Sequence, residues 1–219
     1  MIKVGFPDGN EIKYDDGITP YEIAEKISPA LAREILSAEY NGKTIELRTQ
    51  LFKDGNIKFF KWEDREGKMV FWHSTAHLLA QVILNLYPDS KLTIGPAIEN
   101  GFYYDVDFQN TSFSENDFTK IENKMIEEAR KDHSFKMREV SNTEALEYYE
   151  KQQNKYKLEL IQGLNGEKIT FCDHADFTDL CKGGHIPSTK FIKSIKLLNN
   201  TTRIIGPITV EDVTGVASY

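Results

Sequence analysis

Residues 71–79 have the sequence FWHSTAHLL, and this stretch decides both the fold and the chemistry that we predict for the chain. His73 and His77 are four residues apart, a spacing that puts both imidazoles on one face of a helix. Apolar residues recur at helical intervals through residues 70–86, and Pro88 follows them. The stretch therefore predicts a helix that presents two imidazoles side by side.

A second pair of reactive side chains lies far downstream in residues 179–185, which read DLCKGGH. The two glycines between Cys181 and His185 permit backbone conformations that other residues avoid. Three imidazoles and one thiolate are enough ligands for a tetrahedral zinc ion. Without metal, an imidazole can accept a proton from water that attacks an ester. We interpret the two motifs as halves of one hydrolytic or metal-binding site.

Each of these residues also has a structural interpretation. Histidine pairs at this spacing arise often through core packing, and the helix lacks the Glu after the first His that zinc proteases carry. Cys181 could be an inert buried thiol, and His185 a loop histidine bonded to the backbone. Cys172 and His174 lie beside two aspartates, but their spacing suits no standard ligand set, so we interpret them as structural.

The composition is that of an ordinary globular protein with 219 residues, and its net charge of −7 argues against a broad nucleic-acid surface. Because we find no signal peptide, no membrane-length apolar run and only two cysteines, we expect a cytoplasmic protein with reduced thiols and no membrane partner. A basic segment over residues 181–205 holds no acid, and it is either a local patch for a nucleic-acid end or a solvated edge. Its charged members are Lys182, Lys190, Lys193, Lys196 and Arg203.

The pattern of elements predicts two α+β domains. Residues 1–61 combine a hairpin, a helix and further short strands, as in a small β-grasp module, and we find no candidate for chemistry there. A charged joint at residues 62–68 follows. Residues 63–219 predict a larger α+β domain with an antiparallel sheet packed by helices. One predicted helix starts at residues 114–117 and continues to residue 129, and a second lies near residues 142–151. The predicted strands include residues 135–140 and 156–161, and residues 101–108 are predicted as strand or loop.

Three motifs stand in order along the chain: FWHSTAHLL at residues 71–79, IGPAIENGFYYD at residues 94–105 and DLCKGGHIP at residues 179–187. Together they resemble the N-terminal half of bacterial threonyl-tRNA synthetases, over nearly the whole chain. The resemblance implies a TGS domain, which is a β-grasp module, at residues 1–61. It implies an editing domain at residues 63–219, which ends where the linker to a catalytic domain begins.

The resemblance also implies a function, the hydrolysis of serine misattached to threonine-specific tRNA within a threonine–tRNA ligase. It implies that His73, His77, Cys181 and His185 line the editing pocket together with Lys157. His73 and Lys157 would position or deprotonate water. Asp179 would hold the amino group of the substrate, while Tyr104 and Cys181 would shape the side-chain pocket.

The expected partner is the 3′ end of tRNA(Thr) carrying serine. The threonyl branch is expected to edit without a cofactor, whereas alanyl-tRNA editing relatives bind zinc through the same four residue types, so zinc stays possible at His73, His77, Cys181 and His185. ATP, a catalytic zinc and a homodimer interface are expected only in domains outside this chain. Two departures stand out: Gly183-Gly184 replaces the usual Gly-Pro, and residues 199–211 match the family poorly.

Three alternatives remain open. The first is a zinc-dependent trans-editing hydrolase of the alanyl-tRNA type. The second is a non-catalytic tRNA-binding module whose active part is the β-grasp domain. The third is a thiol hydrolase that uses Cys181 and His185 and forms a covalent acyl-enzyme.

Overall fold

The computed structural model describes residues 1–164, 166–205 and 208–218, and the chain divides into two compact units. The first unit comprises Met1–Phe71 and Gly184–Pro187, and the second comprises Trp72–Gly183 and Ser188–Tyr219. Both units combine helices with strands, and the predicted α+β class is confirmed.

The first unit is built on a mixed five-stranded sheet in the order β2-β1-β5-β3-β4, in which only β1 and β5 pair in parallel. The strands are β1 (Ile2–Gly5), β2 (Glu11–Tyr14), β3 (Ser37–Tyr40), β4 (Lys43–Ile45) and β5 (Gly55–Phe60). Helices α1 (Pro20–Ile27) and α2 (Pro29–Glu34) connect β2 to β3. Their apolar side chains and those of the sheet form one core, which includes Val4, Ile23, Ala24, Ile35 and Ile57.

The start of α1 follows from its sequence. Thr19 accepts the Glu22 N–H on its hydroxyl, and the Glu22 carboxylate accepts the Thr19 N–H in return. This reciprocal capping satisfies two backbone donors that the first turn of a helix leaves without intrahelical partners. Pro20 occupies the first helical turn, where its missing N–H costs nothing.

Helix α3 (Arg65–Leu86) carries the stretch that opened the sequence analysis. Residues 74–83 are buried throughout, and His73 is the one partly exposed residue between Val70 and Ile83. Because a helix that is buried on every side belongs to the interior of a domain, α3 is the central helix of the second unit from Trp72 onward. The charged joint predicted at residues 62–68 is wrong in part, since α3 already begins at Arg65. Glu, Lys and Arg are good helix formers, which explains the early start.

Two antiparallel sheets complete the second unit. The larger sheet contains β6 (Lys91–Leu92), β7 (Ala97–Ile98), β8 (Gly101–Asp107), β12 (Ser194–Ile205) and β13 (Ile208–Ser218), in the order β12-β13-β8-β6 with β7 on β8. The smaller sheet contains β9 (Lys136–Val140), β10 (Ile169–His174) and β11 (Phe177–Leu180), in the order β11-β10-β9. The remaining α-helices are α4 (Phe118–Ala129), α5 (Asn142–Lys151) and α6 (Lys155–Gly163), and two short 3-10 helices cover Glu115–Asp117 and Thr189–Phe191. The two helices predicted to end near residues 129 and 151 are confirmed, although the α-helical part of the first begins at Phe118 rather than at residues 114–117.

The strand predicted at residues 156–161 is wrong, because this segment forms α6. The side chain of Asn154 accepts the Lys157 N–H at 3.2 Å and so starts the helix, while its amide donates to the Leu92 carbonyl at 2.9 Å. Leu160, which completes the apparent alternation of apolar residues, is 39% exposed. Six residues are too few to separate the two periodicities, and the nonlocal anchor of Asn154 decides the outcome.

None of the helices in the described ranges combines the length and the apolarity that a membrane crossing needs.

Candidate active site

A thiol and two imidazoles meet in the second unit. Nε2 of His73 lies 3.0 Å from the Cys181 Sγ, and Nε2 of His77 lies 3.3 Å from the same sulfur. The Gly183 N–H also donates to that sulfur at 3.3 Å. The two rings are 4.8 Å apart between centroids and nearly perpendicular. The structure therefore brings these three predicted site residues together, although Cys181 is more than 100 positions away from both histidines in sequence.

Local structure explains why these side chains converge. His73 and His77 are one helical turn apart on α3, so their rings project from the same face. Cys181 directly follows β11, and its N–H donates to the Thr170 carbonyl at 3.0 Å, which extends the pairing of β11 with β10 by one residue. Because helix and strand are both anchored along their length, the position of the sulfur between the two rings is set by the fold.

A pocket of about 420 Å³ adjoins this cluster within the second unit. Its walls are largely apolar, and Ile94, Pro96, Leu160, Leu164 and Ile169 provide much of them. His73, His77, Tyr104, Lys157, Asp179 and Cys181 also line it. Six of the seven predicted site residues thus border one cavity. A largely apolar cavity with a few convergent polar groups is the usual form of a small-ligand site.

Asp179 is the centre of a buried polar network beside the pocket. Its Oδ1 lies 2.6 Å from the Lys157 Nζ, and both side chains are at most 4% exposed. The Tyr149 hydroxyl donates to Oδ1 at 3.1 Å, and the Tyr104 hydroxyl donates to Oδ2 at 2.5 Å. The ammonium compensates the carboxylate charge, which a buried carboxylate requires.

The two tyrosines of this network hold their protons strongly. Burial, and secondly the negative charge of Asp179, raise the pKa of Tyr104 well above its usual value. The same causes in the same order raise the pKa of Tyr149. Both hydroxyls therefore remain hydrogen-bond donors at every pH at which the protein would work.

Gly95 allows the Tyr104 ring to lie against the pocket wall. A Cβ atom at position 95 would lie 2.1 Å from Cδ2 of Tyr104, far inside the contact distance of two carbon atoms. Tyr104 is only 2% exposed, so its ring has little room to move away. The close approach of the Tyr104 ring to the backbone at position 95 therefore requires a glycine there.

His185 lies in the first unit, four residues after Cys181 in the chain. Its ring is buried, and Nδ1 lies 3.0 Å from the Glu46 Oε1. Burial would raise the pKa of Glu46, but its hydrogen bond and electrostatic interaction with the His185 ring, together with the Gly184 N–H, outweigh burial and lower that pKa. Glu46 was not predicted from the sequence, which showed no candidate for chemistry in residues 1–61.

The other predicted features are accounted for separately. Cys172 and His174 are buried in β10, and the His174 ring packs against Phe135 and Phe177 with centroids 4.8 and 5.2 Å away.

In the basic segment, three lysines form ion pairs with acids, namely Lys182 with Glu167, Lys190 with Asp132 and Lys196 with Glu122. These pairs favour the solvated edge over a nucleic-acid patch. The side chain of Arg203 lies outside the described residues.

Comparisons with known proteins agree with this architecture. Residues 2–61 match the family described as the TGS domain, and residues 169–209 match the family described as the threonyl and alanyl tRNA synthetase second additional domain. Threonine–tRNA ligases of Flavobacterium psychrophilum, Flavobacterium johnsoniae and Cytophaga hutchinsonii are 50%, 54% and 46% identical to the chain. The chain is homologous to the N-terminal region of threonine–tRNA ligases.

The alignments with these three ligases cover 91% of the chain but only 30%, 30% and 31% of the ligases. The chain therefore spans less than a third of the length of these curated relatives. The match to the second additional domain runs through residue 209. Most of the segment 199–211, which was expected to depart from the family, therefore lies within the range of this match.

The donor set also fits a zinc ion. Tetrahedral zinc bound to sulfur and nitrogen sets those two ligand atoms about 3.5 Å apart. The sulfur of Cys181 lies 3.0 and 3.3 Å from the two imidazole nitrogens, and the ligand atoms of all three residues lie within 4.8 Å of one another. Small side-chain adjustments would open this triangle to coordination, so the residues fit the metal.

Proposed function

We propose that this chain hydrolyses the ester of serine misattached to tRNA(Thr), as the editing part of a threonine–tRNA ligase. The observation that carries the proposal is the convergence of His73, His77 and Cys181 on a largely apolar pocket. The homology to threonine–tRNA ligases and the match to the second additional domain support the choice of substrate. The tRNA partner, the cytoplasmic location and the homodimer of a longer protein belong to the same proposal.

Editing is needed because serine differs from threonine by one missing methyl group. One methylene is worth about 0.8 kcal/mol of burial, which cannot reject the smaller amino acid well enough by binding. A second pocket that admits serine and excludes the methyl removes the error. In this chain Tyr104 and Cys181 would form the wall that meets the methyl, because both border the pocket and both are held in place by their neighbours.

The reaction is the attack of water on the acyl carbon. The carbon–oxygen bond to the ribose breaks, the proton lost by the water is delivered to the ribose oxygen, and serine and tRNA are released. The imidazole of His73 would accept the proton from water, since imidazoles are the usual general bases near neutral pH and His73 is the partly exposed member of the cluster.

Asp179 would bind the ammonium group of the seryl ester. A carboxylate oxygen offers two lone pairs, and in the described structure Oδ2 accepts only from Tyr104, so this oxygen retains room for one more donor. Lys157 would hold the carboxylate in place through the ion pair, and its ammonium also lies 3.5 Å from the Tyr104 hydroxyl, where it would orient water.

If the site holds zinc, His73, His77 and Cys181 would bind it, with His185 as the proposed fourth ligand. Zinc would then lower the pKa of a coordinated water and supply the nucleophile. In the favoured mechanism the imidazoles act without it.

The decisive experiment compares the deacylation of seryl-tRNA(Thr) and threonyl-tRNA(Thr) by the purified chain. We expect hydrolysis of the seryl ester only. We expect His73→Ala to abolish it, with tRNA binding retained. His133→Ala is the matched control, because His133 lies in the second unit but does not line the pocket. Unchanged hydrolysis by His73→Ala would refute the assignment.

The same assay separates the alternatives. An alanyl-type hydrolase would release alanine from its tRNA and would lose activity with its zinc. A binding module would retain tRNA without deacylation. A thiol hydrolase would accumulate an acyl group on Cys181, which mass spectrometry would detect as an adduct.

A further inference from the structure

Glu46 contacts two consecutive residues of the loop that follows Cys181. One oxygen, Oε1, accepts the Gly184 N–H at 2.9 Å and lies 3.0 Å from the His185 Nδ1. The His185 side chain is 0% exposed and the Glu46 side chain is 21% exposed. All three residues belong to the first unit. The carboxylate therefore fixes both the backbone and the ring at this point of the loop.

The loop conformation depends on its glycines. Gly183 has φ +97° and Gly184 has φ +88°, in the region that side-chain-bearing residues rarely adopt. This turn presents the Gly184 N–H and the His185 ring to the same oxygen. A proline at position 184 would remove the N–H and could not adopt the positive φ.

The contact also determines where His185 carries its hydrogen. A neutral imidazole has one N–H and one lone pair, and an ionised carboxylate can only accept. The hydrogen must therefore sit on Nδ1, facing Glu46, which leaves the lone pair on Nε2. Carboxylates fix the tautomer of catalytic and metal-binding histidines in this way.

We propose that Glu46 is a positioning residue that holds the His185 ring in the Nδ1–H tautomer and leaves Nε2 as the acceptor or ligand atom. The consequence for hydrolysis rests on the proposed editing function, in which His185 belongs to the site. The tautomer itself does not rest on it. Glu46 would then give the β-grasp part of the chain a role in the chemistry.

The first test is the tautomer of His185, measured by two-bond proton–nitrogen correlation on the ¹⁵N-labelled chain at mildly alkaline pH. We expect Nδ1–H in the parent protein and a shift towards Nε2–H in Glu46→Ala. Glu46→Gln should retain Nδ1–H, because its amide oxygen still accepts. The matched control is Glu25→Ala, which removes an exposed glutamate of the same unit. An Nε2–H parent, or an unchanged tautomer in Glu46→Ala, would overturn the proposal.

The second test is the rate of seryl-tRNA(Thr) hydrolysis. We expect Glu46→Ala to lower kcat about 10- to 100-fold with KM and the circular dichroism spectrum unchanged, and Glu46→Gln to recover most of the loss. A shifted tautomer with unchanged kcat would overturn the positioning role. If the parent chain hydrolyses nothing, the proposed function fails, while the tautomer measurement still decides whether Glu46 positions His185.

Discussion

The ion pair of Lys157 and Asp179 allows the energetics of the pocket to be tested. Lys157→Met preserves most of the side-chain length and removes the ammonium, which lies 2.6 Å from the carboxylate in a site at most 4% exposed. Loss of one partner of a buried ion pair costs about 3–5 kcal/mol, because the other charge stays buried and uncompensated. The hydroxyls of Tyr104 and Tyr149 still donate to Asp179 in this variant. We therefore expect a loss near the lower limit, about 3 kcal/mol.

The assay is urea and thermal unfolding followed by tryptophan fluorescence. The chain has two tryptophans, Trp62 in the first unit and Trp72 in the second. In a Trp62→Phe background, Trp72 alone reports the unfolding of the second unit. A loss of about 3 kcal/mol should lower the thermal midpoint by about 6–12 °C for a unit of this size.

Two further variants make the result specific. Lys155→Met removes an exposed lysine two positions earlier on α6 and should cost less than about 1 kcal/mol. Lys157→Met combined with Asp179→Asn should recover most of the loss, since no unpaired charge remains. The reasoning is refuted if Lys157→Met unfolds like Lys155→Met, or if the losses of the two single variants simply add.

Three other predictions follow from the same structure. Because the pKa values of Tyr104 and Tyr149 are raised, the folded state binds more protons than the unfolded state above pH about 10. The free energy of unfolding should therefore fall as the pH rises further. Tyrosinate absorbance should show that both groups ionise only when the protein unfolds. Gly95→Ala should cost about 1–3 kcal/mol by pushing the Tyr104 ring, and an unchanged urea midpoint would contradict the close approach. Chelation should leave seryl-ester hydrolysis intact if imidazoles supply the base, whereas a loss reversed by zinc would favour the metal-dependent alternative.

The sequence predicted what depends on local patterns. The helices at residues 118–129 and 142–151 and the α1 start at Thr19-Pro20 follow from periodicity and capping, which act over a few residues. Residues 156–161 within α6 were predicted as a strand because six residues fit both periods. The contact that decides its form joins Asn154 to Leu92, 62 positions away.

In the candidate site, too, the sequence predicted what depends on local patterns and not what depends on distant contacts. His73 and His77 could be found because helical spacing alone places their rings together. Glu46 and Tyr149 were not predicted as site residues because each matters only through a distant partner. Glu46 contacts His185, 139 positions away in sequence, and Tyr149 contacts Asp179, 30 positions away. Glu46 directly follows β4, and nothing in the residues around it names a partner.

The complete burial of residues 74–83 has a consequence for motion. Backbone amides in such a segment exchange with solvent only when the surrounding unit opens as a whole, so α3 should be among the slowest-exchanging parts of the chain. Lys182 and Gly183, by contrast, retain exposure and follow a strand end, so their amides should exchange through small local openings. The two histidines on α3 therefore keep their positions while the amides of Lys182 and Gly183 open and close.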